Sequence, residues 1–448
     1  MTAERTVPTV ALVTPYYPPK IGGVERYVAE LARGLAADGG NDCDNDGGGG
    51  NDDGGGGGRD GGDGAFRPVV ITTAAKGRRT TRSVQDGVTV IRLGVWLRIS
   101  NTPLSPLWPI QVRRWLRRTG ADVVNAHAPV PGLGDVAVLC AGKRPVVFTY
   151  HAGTMHKGVP GSGLADRIIA GYERRVLPRV FARCDVPVPV GPSSLAARQE
   201  GAELIPPGVD VLCFTPGDEG ARERELVYVG RMDRTSAWKG VDVLVTAFAA
   251  LAEQLPELRL RLVGAGDALE DHLDLAERLG VRERVLATGA LAGAELVRAV
   301  QRAAVLVLPS TTDAECAGTV LMEAMACATP VVASDVGSLA YVVGRASAGE
   351  GRGAAAGAGD HDGDAVTEGT RDGDGVAGLI VEPGSPEALA AAIARILTED
   401  GLAAKLGAAG RERAEQNFAK PLLVQRYRAL FARLGTPADG RAVGRPGQ

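Results

Sequence analysis

Two glutamates, Glu315 and Glu323, stand eight residues apart in DAECAGTVLMEAMACATPVVASD, directly after the apolar run AAVLVLPS. The apolar run reads as a buried strand, leading into a loop that carries Glu315 and then a helix that carries Glu323. On a continuous helix eight residues span about 12 Å at a 1.5 Å rise. Paired glycosidase carboxyls lie only about 5–9.5 Å apart, so this spacing does not suit that chemistry. It suits two contacts on one elongated polar ligand, such as a sugar at one end and a ribose at the other. A surface glutamate followed by a solvated helix glutamate fits the spacing as well. The position after a buried strand, among small residues, favours the ligand reading.

Other residues with usable chemistry also follow apolar strands. In VGRMDRTSAWKG, Arg231 leaves a strand and Lys239 precedes a helix. Two cations at such a junction suit a diphosphate, and solvated loop charges are the plainer alternative. In TPYYPPKIGGVERYVAEL, Gly22 and Gly23 precede a helix whose first N–H groups could meet an anion. An ordinary tight turn fits them equally. His127 (VVNAHAPVPG) and His151 (VVFTYHAG) each end an apolar run, where a histidine can carry a proton or a hydrogen bond. GAGDALE at 264–270 has Leu269 where a dinucleotide fingerprint needs its third small residue.

Around these residues, near-continuous Val/Leu runs alternate with amphipathic segments in both halves of the chain. That pattern predicts parallel sheets covered on both faces, in two Rossmann-like units with a cleft between them. At 448 residues, two cores are expected. The boundary is placed at residue 204: a first domain over 1–204, a second over 205–418, and a terminal helix and tail over 419–448 returning to the first. Two stretches, 38–64 and 345–376, are rich in Gly, Asp or Ala and read as loop insertions that cannot bury enough apolar surface to fold.

Composition narrows the class. A net charge of −3 gives no argument for nucleic acid. Six scattered cysteines without a C-x-x-C, and no long apolar run, point to a reduced cytoplasmic protein without a transmembrane helix. Five histidines without metal-ligand spacing give no metal pattern.

Taken in order, GGVER, NAHAP, TYHAG, IPPGVD, VGRMD…WKG, LVGAGD, ECAGTVLME and PVVASDVGS before GLIVEPGSPEAL resemble the retaining GT-B glycosyltransferases of family 4 (group 1). The resemblance spans nearly the whole chain. It implies an α/β GT-B fold, with two Rossmann-like domains facing across an interdomain cleft. It also implies transfer of a sugar from a nucleotide-diphosphate-sugar donor, with retention and without a catalytic metal or other cofactor. On that resemblance Glu315 contacts the donor sugar and Glu323 the ribose. Arg231 and Lys239 clamp the diphosphate. Gly22 and Gly23 close on the phosphates, Gly318 and Thr319 offer backbone N–H groups to them, and His127 lies near the sugar and acceptor. Three departures stand out: Cys316 and Ala317 follow the first glutamate where an aromatic residue and glycine are usual, Ser338 replaces a common glycine, and Tyr341 replaces a frequent acidic residue.

For the acceptor, residues 96–118 matter. Three of the four tryptophans lie there, with Arg98, Arg113, Arg114, Arg117 and Arg118. Trp with clustered Arg suits an anionic membrane surface, which would make the acceptor a lipid or lipid-linked glycan on the inner face of the cell membrane. A covering helix with a solvated basic face is the alternative. For the whole chain, a GT-B nucleotide-sugar epimerase and a non-catalytic nucleotide-sugar-binding scaffold are the competing readings.

Overall fold

A computed structural model describes residues 7–20, 22–37, 66–99, 102–155, 163–218, 222–344 and 376–435. The 38–64 insertion, nearly all of the 345–376 insertion and the tail beyond 435 lie outside the described residues.

The first half holds β1 (Thr9–Val13), α1 (Gly23–Ala36), β2 (Arg67–Thr73), β3 (Thr81–Gln85), β4 (Val88–Leu93), β5 (Leu97–Ile99), β6 (Thr102–Leu104) and α2 (Trp108–Arg118). It continues with β7 (Val123–Ala128), α3 (Leu133–Cys140), β8 (Val146–Tyr150), α4 (Gly163–Arg175), α5 (Leu177–Phe181) and β9 (Val186–Pro189). The second half runs β10 (Glu225–Val229), α6 (Val241–Gln254), β11 (Arg259–Val263), α7 (Leu269–Arg278), β12 (Val285–Gly289), α8 (Gly293–Arg302), β13 (Val305–Leu308) and α9 (Thr319–Ala326). Then come β14 (Val331–Ser334), α10 (Leu339–Val343), β15 (Gly378–Val381), α11 (Pro386–Thr398), α12 (Leu402–Phe418) and α13 (Lys420–Gly435).

Two large sheets result, ordered β3-β4-β2-β1-β7-β8-β9 and β12-β11-β10-β13-β14-β15, beside a two-stranded β5-β6 sheet. Every pairing within these two sheets is parallel except β3 with β4, and β5 and β6 form a separate antiparallel pair. Helices on both faces bury the strands on both sides, so β1, β7, β8, β13 and β14 are buried at every residue. The mixed α/β architecture with two largely parallel sheets is the one the sequence predicts.

In each sheet the strand order reverses at one point: β1 lies between β2 and β7, and β10 between β11 and β13. Ligands of such sheets bind beyond the carboxyl ends of the strands at these reversals. The loops after β1, β7, β10 and β13 carry, or lie next to, most of the residues singled out above. Helix α13 packs on the first sheet's side, with Phe431 against Phe66 (5.9 Å between ring centroids) and the Tyr427 and Tyr27 hydroxyls 3.0 Å apart.

Candidate active site

Lys239 and Glu315 come together after the two central strands of the second sheet. A 3₁₀ turn over Arg234–Lys239 follows β10, and the Thr311 N–H and hydroxyl both donate to its Trp238 carbonyl, at 2.8 and 3.1 Å. Gly240 (φ 67°) lets this turn touch the end of β13, because a Cβ there would overlap the Pro309 carbonyl. Gly337 (φ 56°) does the same behind Glu315, where a Cβ would overlap the Glu315 carbonyl oxygen. Both positions need the left-handed region and the missing side chain.

The Lys239 Nζ lies 2.7 Å from Glu315 Oε2, which also accepts from the Ser310 hydroxyl at 3.1 Å. Both side chains are mostly buried, at 16% and 13% exposure. Desolvation opposes such a pair, so its geometry matters more than its net stabilisation. An ammonium has three N–H donors, so Lys239 keeps donors for an anion, and Glu315 keeps Oε1 for a hydroxyl.

Arg231 and the glycine turn are arranged differently. Arg231 is 62% exposed and pairs with Asp233 at 3.6 Å. At the start of α1, the Glu25 carboxylate folds back over Gly22, where a Cβ would collide with it. Glu25 is 6% exposed, and burial raises its pKa, against its own backbone N–H and the nearby cations Lys20 and Arg231. The α1 end that Gly22 and Gly23 were expected to offer to a phosphate therefore already holds an anionic side chain of this chain. Gly23 itself faces open space. Gly318 (φ 52°) caps α9, which begins at Thr319.

Glu323 does not face an open cleft. It is 5% exposed and ion-paired with Arg26 of α1, which also holds Glu30 at 3.0 Å. Lys420 extends the network to Glu30 (3.5 Å) and Asp210 (3.0 Å). Burial pushes the Glu323 pKa up while Arg26 pulls it down; burial opposes the Arg26 charge, and Glu323 and Glu30 more than offset that. Nothing about Arg26 was drawn from the sequence, although GGVER contains it.

The histidine assignment needs correcting. His127 lies inside β7 and is fully buried, so it presents no edge to a ligand. His151 follows the end of β8 and is partly exposed. Its Nε2 lies 3.0 Å from His127 Nδ1, and the edge of Tyr27 packs on its ring at 4.7 Å. Two residues on, Gly153 touches the loop of Glu315: a Cβ there would lie 2.7 Å from the Asp313 carbonyl oxygen. His151 is thus the less buried of the two histidines, two residues from a glycine packed on the Glu315 loop. Burial drives its pKa down to about 3, and drives that of His127 well below the ordinary imidazole value, with His151 adding to the effect.

The departures from the family pattern have local roles. Ser338 bridges the two sheets' lobes, accepting from the Ser193 N–H at 3.1 Å, with the two hydroxyls 2.7 Å apart. Cys316 is buried, which raises its thiol pKa to about 12, with Glu315 adding to the rise. In the 96–118 segment, Trp108 is a core residue whose indole N–H donates to the Gly94 carbonyl at 3.1 Å. Trp96, Leu97, Ile99 and Ile110 are exposed.

Comparison with known proteins gives the family and the fold. Residues 223–399 match the family model "Glycosyl transferases group 1", and residues 64–211 match "Glycosyltransferase Family 4". A D-inositol 3-phosphate glycosyltransferase of Kribbella flavida is 31% identical over 337 residues, 69% of this chain and 70% of that protein. A GDP-mannose-dependent alpha-(1-6)-phosphatidylinositol monomannoside mannosyltransferase of Mycolicibacterium smegmatis is 29% identical, over 72% of this chain and 76% of its own. The fold is shared with sucrose-phosphate synthase of Thermosynechococcus elongatus, at a TM-score of 0.67 and 23% identity, covering 95% of this chain and 100% of that one. With the group 1 model over the Lys239–Glu315 lobe and the family 4 model over the histidine lobe, the chain belongs to the family 4 glycosyltransferases and is a glycosyltransferase of the GT-B fold.

Proposed function

We propose that the protein transfers a sugar from a nucleotide-diphosphate-sugar to an acceptor hydroxyl, with retention and without a catalytic metal. The observation that carries this reading is the Lys239–Glu315 pair, a cation and a hydroxyl acceptor placed side by side at the strand reversal of the second sheet. Lys239, joined by Arg231, neutralises the diphosphate as its bond to the anomeric carbon breaks and the electron pair stays on oxygen. Glu315 holds the sugar hydroxyls. The acceptor oxygen attacks the same face of the sugar, and its proton passes to the departing diphosphate oxygen. The Gly318 and Thr319 N–H groups add donors to the phosphates. Glu323 takes the ribose hydroxyls once Arg26 yields it. The histidine beside the sugar is His151.

For the acceptor, a phosphate-bearing inositol or its lipid is the class that the names of the two relatives support. Among the described residues no helix is long and apolar enough to cross a membrane. Trp96, Leu97, Ile99 and Ile110, beside Arg98, Arg113, Arg114 and Arg117, suit peripheral contact with an anionic cytoplasmic leaflet, without Trp108.

A thermal-shift panel of nucleoside diphosphates and nucleotide-sugars, with and without EDTA, tests the reading. Stabilisation by a subset, unchanged by EDTA, is expected. Stabilisation that EDTA abolishes would overturn the metal-free clamp, and no stabilisation by any nucleotide would overturn the donor class.

A further inference from the structure

Behind His151 lies a buried polar cluster that the transfer reaction does not use directly. His127 Nδ1 is 3.0 Å from His151 Nε2, and the two rings stack at 5.3 Å between centroids. The edge of Tyr27 packs against both rings, at 6.0 and 4.7 Å. The Tyr27 hydroxyl is fixed in turn by the Ile205 carbonyl at 3.1 Å and the Tyr427 hydroxyl at 3.0 Å. Tyr427 reaches Thr149 at 2.8 Å, and the Thr149 hydroxyl donates to Asn125 Oδ1 at 3.0 Å. Strands β7 and β8 and helices α1 and α13 thus hold the two imidazoles in one arrangement. Among the described residues, His127 Nε2 is buried without a hydrogen-bond partner.

That orphan nitrogen decides where the shared proton sits. One of the two facing nitrogens must donate, since both rings are neutral at ordinary pH. If His151 Nε2 donated, His127 would carry its own proton on Nε2, as a buried N–H with no acceptor. Orphaned buried N–H groups are rarer than under-used acceptors. If His127 Nδ1 donates, its Nε2 is a bare lone pair, and His151 must carry its proton on Nδ1.

We infer that His127 is a positioning residue, whose Nδ1–H donates to His151 Nε2 and so fixes His151 as the neutral Nδ1–H form that offers a hydrogen-bond donor, not a base, to the sugar or acceptor oxygens. This rests on the transferase reading above for its catalytic meaning, but not for the proton arrangement. The low pKa of His151, about 3 from burial, agrees with a ring that stays neutral through turnover. The role parallels a partner that orients a functional imidazole through its second nitrogen.

Long-range ¹H–¹⁵N correlation spectra of the ¹⁵N-histidine-labelled full chain distinguish the two neutral tautomers. Five histidines make the assignment tractable through single His→Gln variants. The wild-type His151 signal is expected in the Nδ1–H pattern, whether or not a substrate has been found. His127→Leu should lose that pattern and lower kcat about 10–100-fold with little change in donor KM, as loss of a second-layer partner does. His127→Asn, whose amide N–H takes the place of Nδ1–H, should restore most of both. An Nε2–H pattern at His151 in the wild type would overturn the inference outright, even if His127→Leu failed to fold. A folded His127→Leu with wild-type kcat would overturn the positioning role. Absence of turnover in every form, with the Nδ1–H pattern present, would instead fault the transferase reading.

Discussion

Lys239 and Glu315 are 76 residues apart in the chain, and their charged atoms lie 2.7 Å apart. On the proposed function, the cation meant for the leaving diphosphate and the carboxylate meant for the sugar satisfy each other until a donor arrives. On that reading a donor exchanges partners in a preformed site and does not assemble the site anew. Lys239→Ala should cut kcat by about 10²–10³-fold, the usual cost of removing one charge-stabilising donor. Steady-state kinetics beside circular dichroism checks this; wild-type turnover in a folded variant would remove Lys239 from the clamp.

The backbone approach behind Glu315 gives a second prediction. Gly337 sits at φ 56° against the Glu315 carbonyl. Gly337→Ala should destabilise the protein by more than about 1 kcal/mol from the left-handed backbone alone, with the clash added. It should also displace Glu315, so donor KM rises along with the drop in Tm. Unchanged donor KM would show that the loop absorbs the clash elsewhere.

Arg26 and Glu323 give a third. Removing one partner of a buried pair strands the other, at about 3–5 kcal/mol. The Arg26 side chain is 44% exposed, so Arg26→Ala should fall near the lower end, about 3 kcal/mol. Denaturant titration measures it. Arg26→Ala also frees Glu323, so donor affinity should hold or improve as stability drops. Loss of both would mean that Arg26 contacts the donor itself.

Acid sensitivity follows from the histidines. The His151 pKa is lowered from 6.5 to about 3 by burial, so the unfolded state binds the proton more readily. The stability linked to it is present in full above pH 6.5 and is lost as pH falls towards 3. By pH 5 the loss is about 2 kcal/mol. His127 is shifted in the same direction and adds to it. Glu25 and Glu323, both raised by burial from 4.5, act in the opposite sense as pH rises above that value, so the His151→Gln variant is the control across pH 5–6.5. Tm measured across that window should fall with pH, and less steeply in His151→Gln. The same slope in the wild type and in His151→Gln would contradict the low pKa of His151.

Much of this was legible from residue patterns, and the exceptions have physical causes. Near-continuous Val/Leu runs gave away the parallel strands because both faces are buried. β3 escaped because TRSVQ is an exposed edge strand with no apolar alternation, although Asp86–Gly87, both at positive φ, is a hairpin signal. Lys239 and Glu315 were readable from their place after apolar strands. The resemblance put His127 beside the sugar, yet His127 falls within its strand and His151 just past one. Arg26 and Glu25 were invisible because their partners depend on how the helices approach, which no local pattern encodes. Trp108 looked like surface because it sits among arginines, but its indole is a core side chain.

The most direct test of the central claim is nucleoside diphosphate release from a panel of nucleotide-sugars in EDTA, by the wild type and Lys239→Ala. The account predicts that the wild type consumes at least one donor in the presence of a phosphate-bearing polyol acceptor, and that the folded variant is slower by two orders of magnitude or so. Equal rates in the two proteins, or a folded wild type that leaves every donor intact, would contradict it.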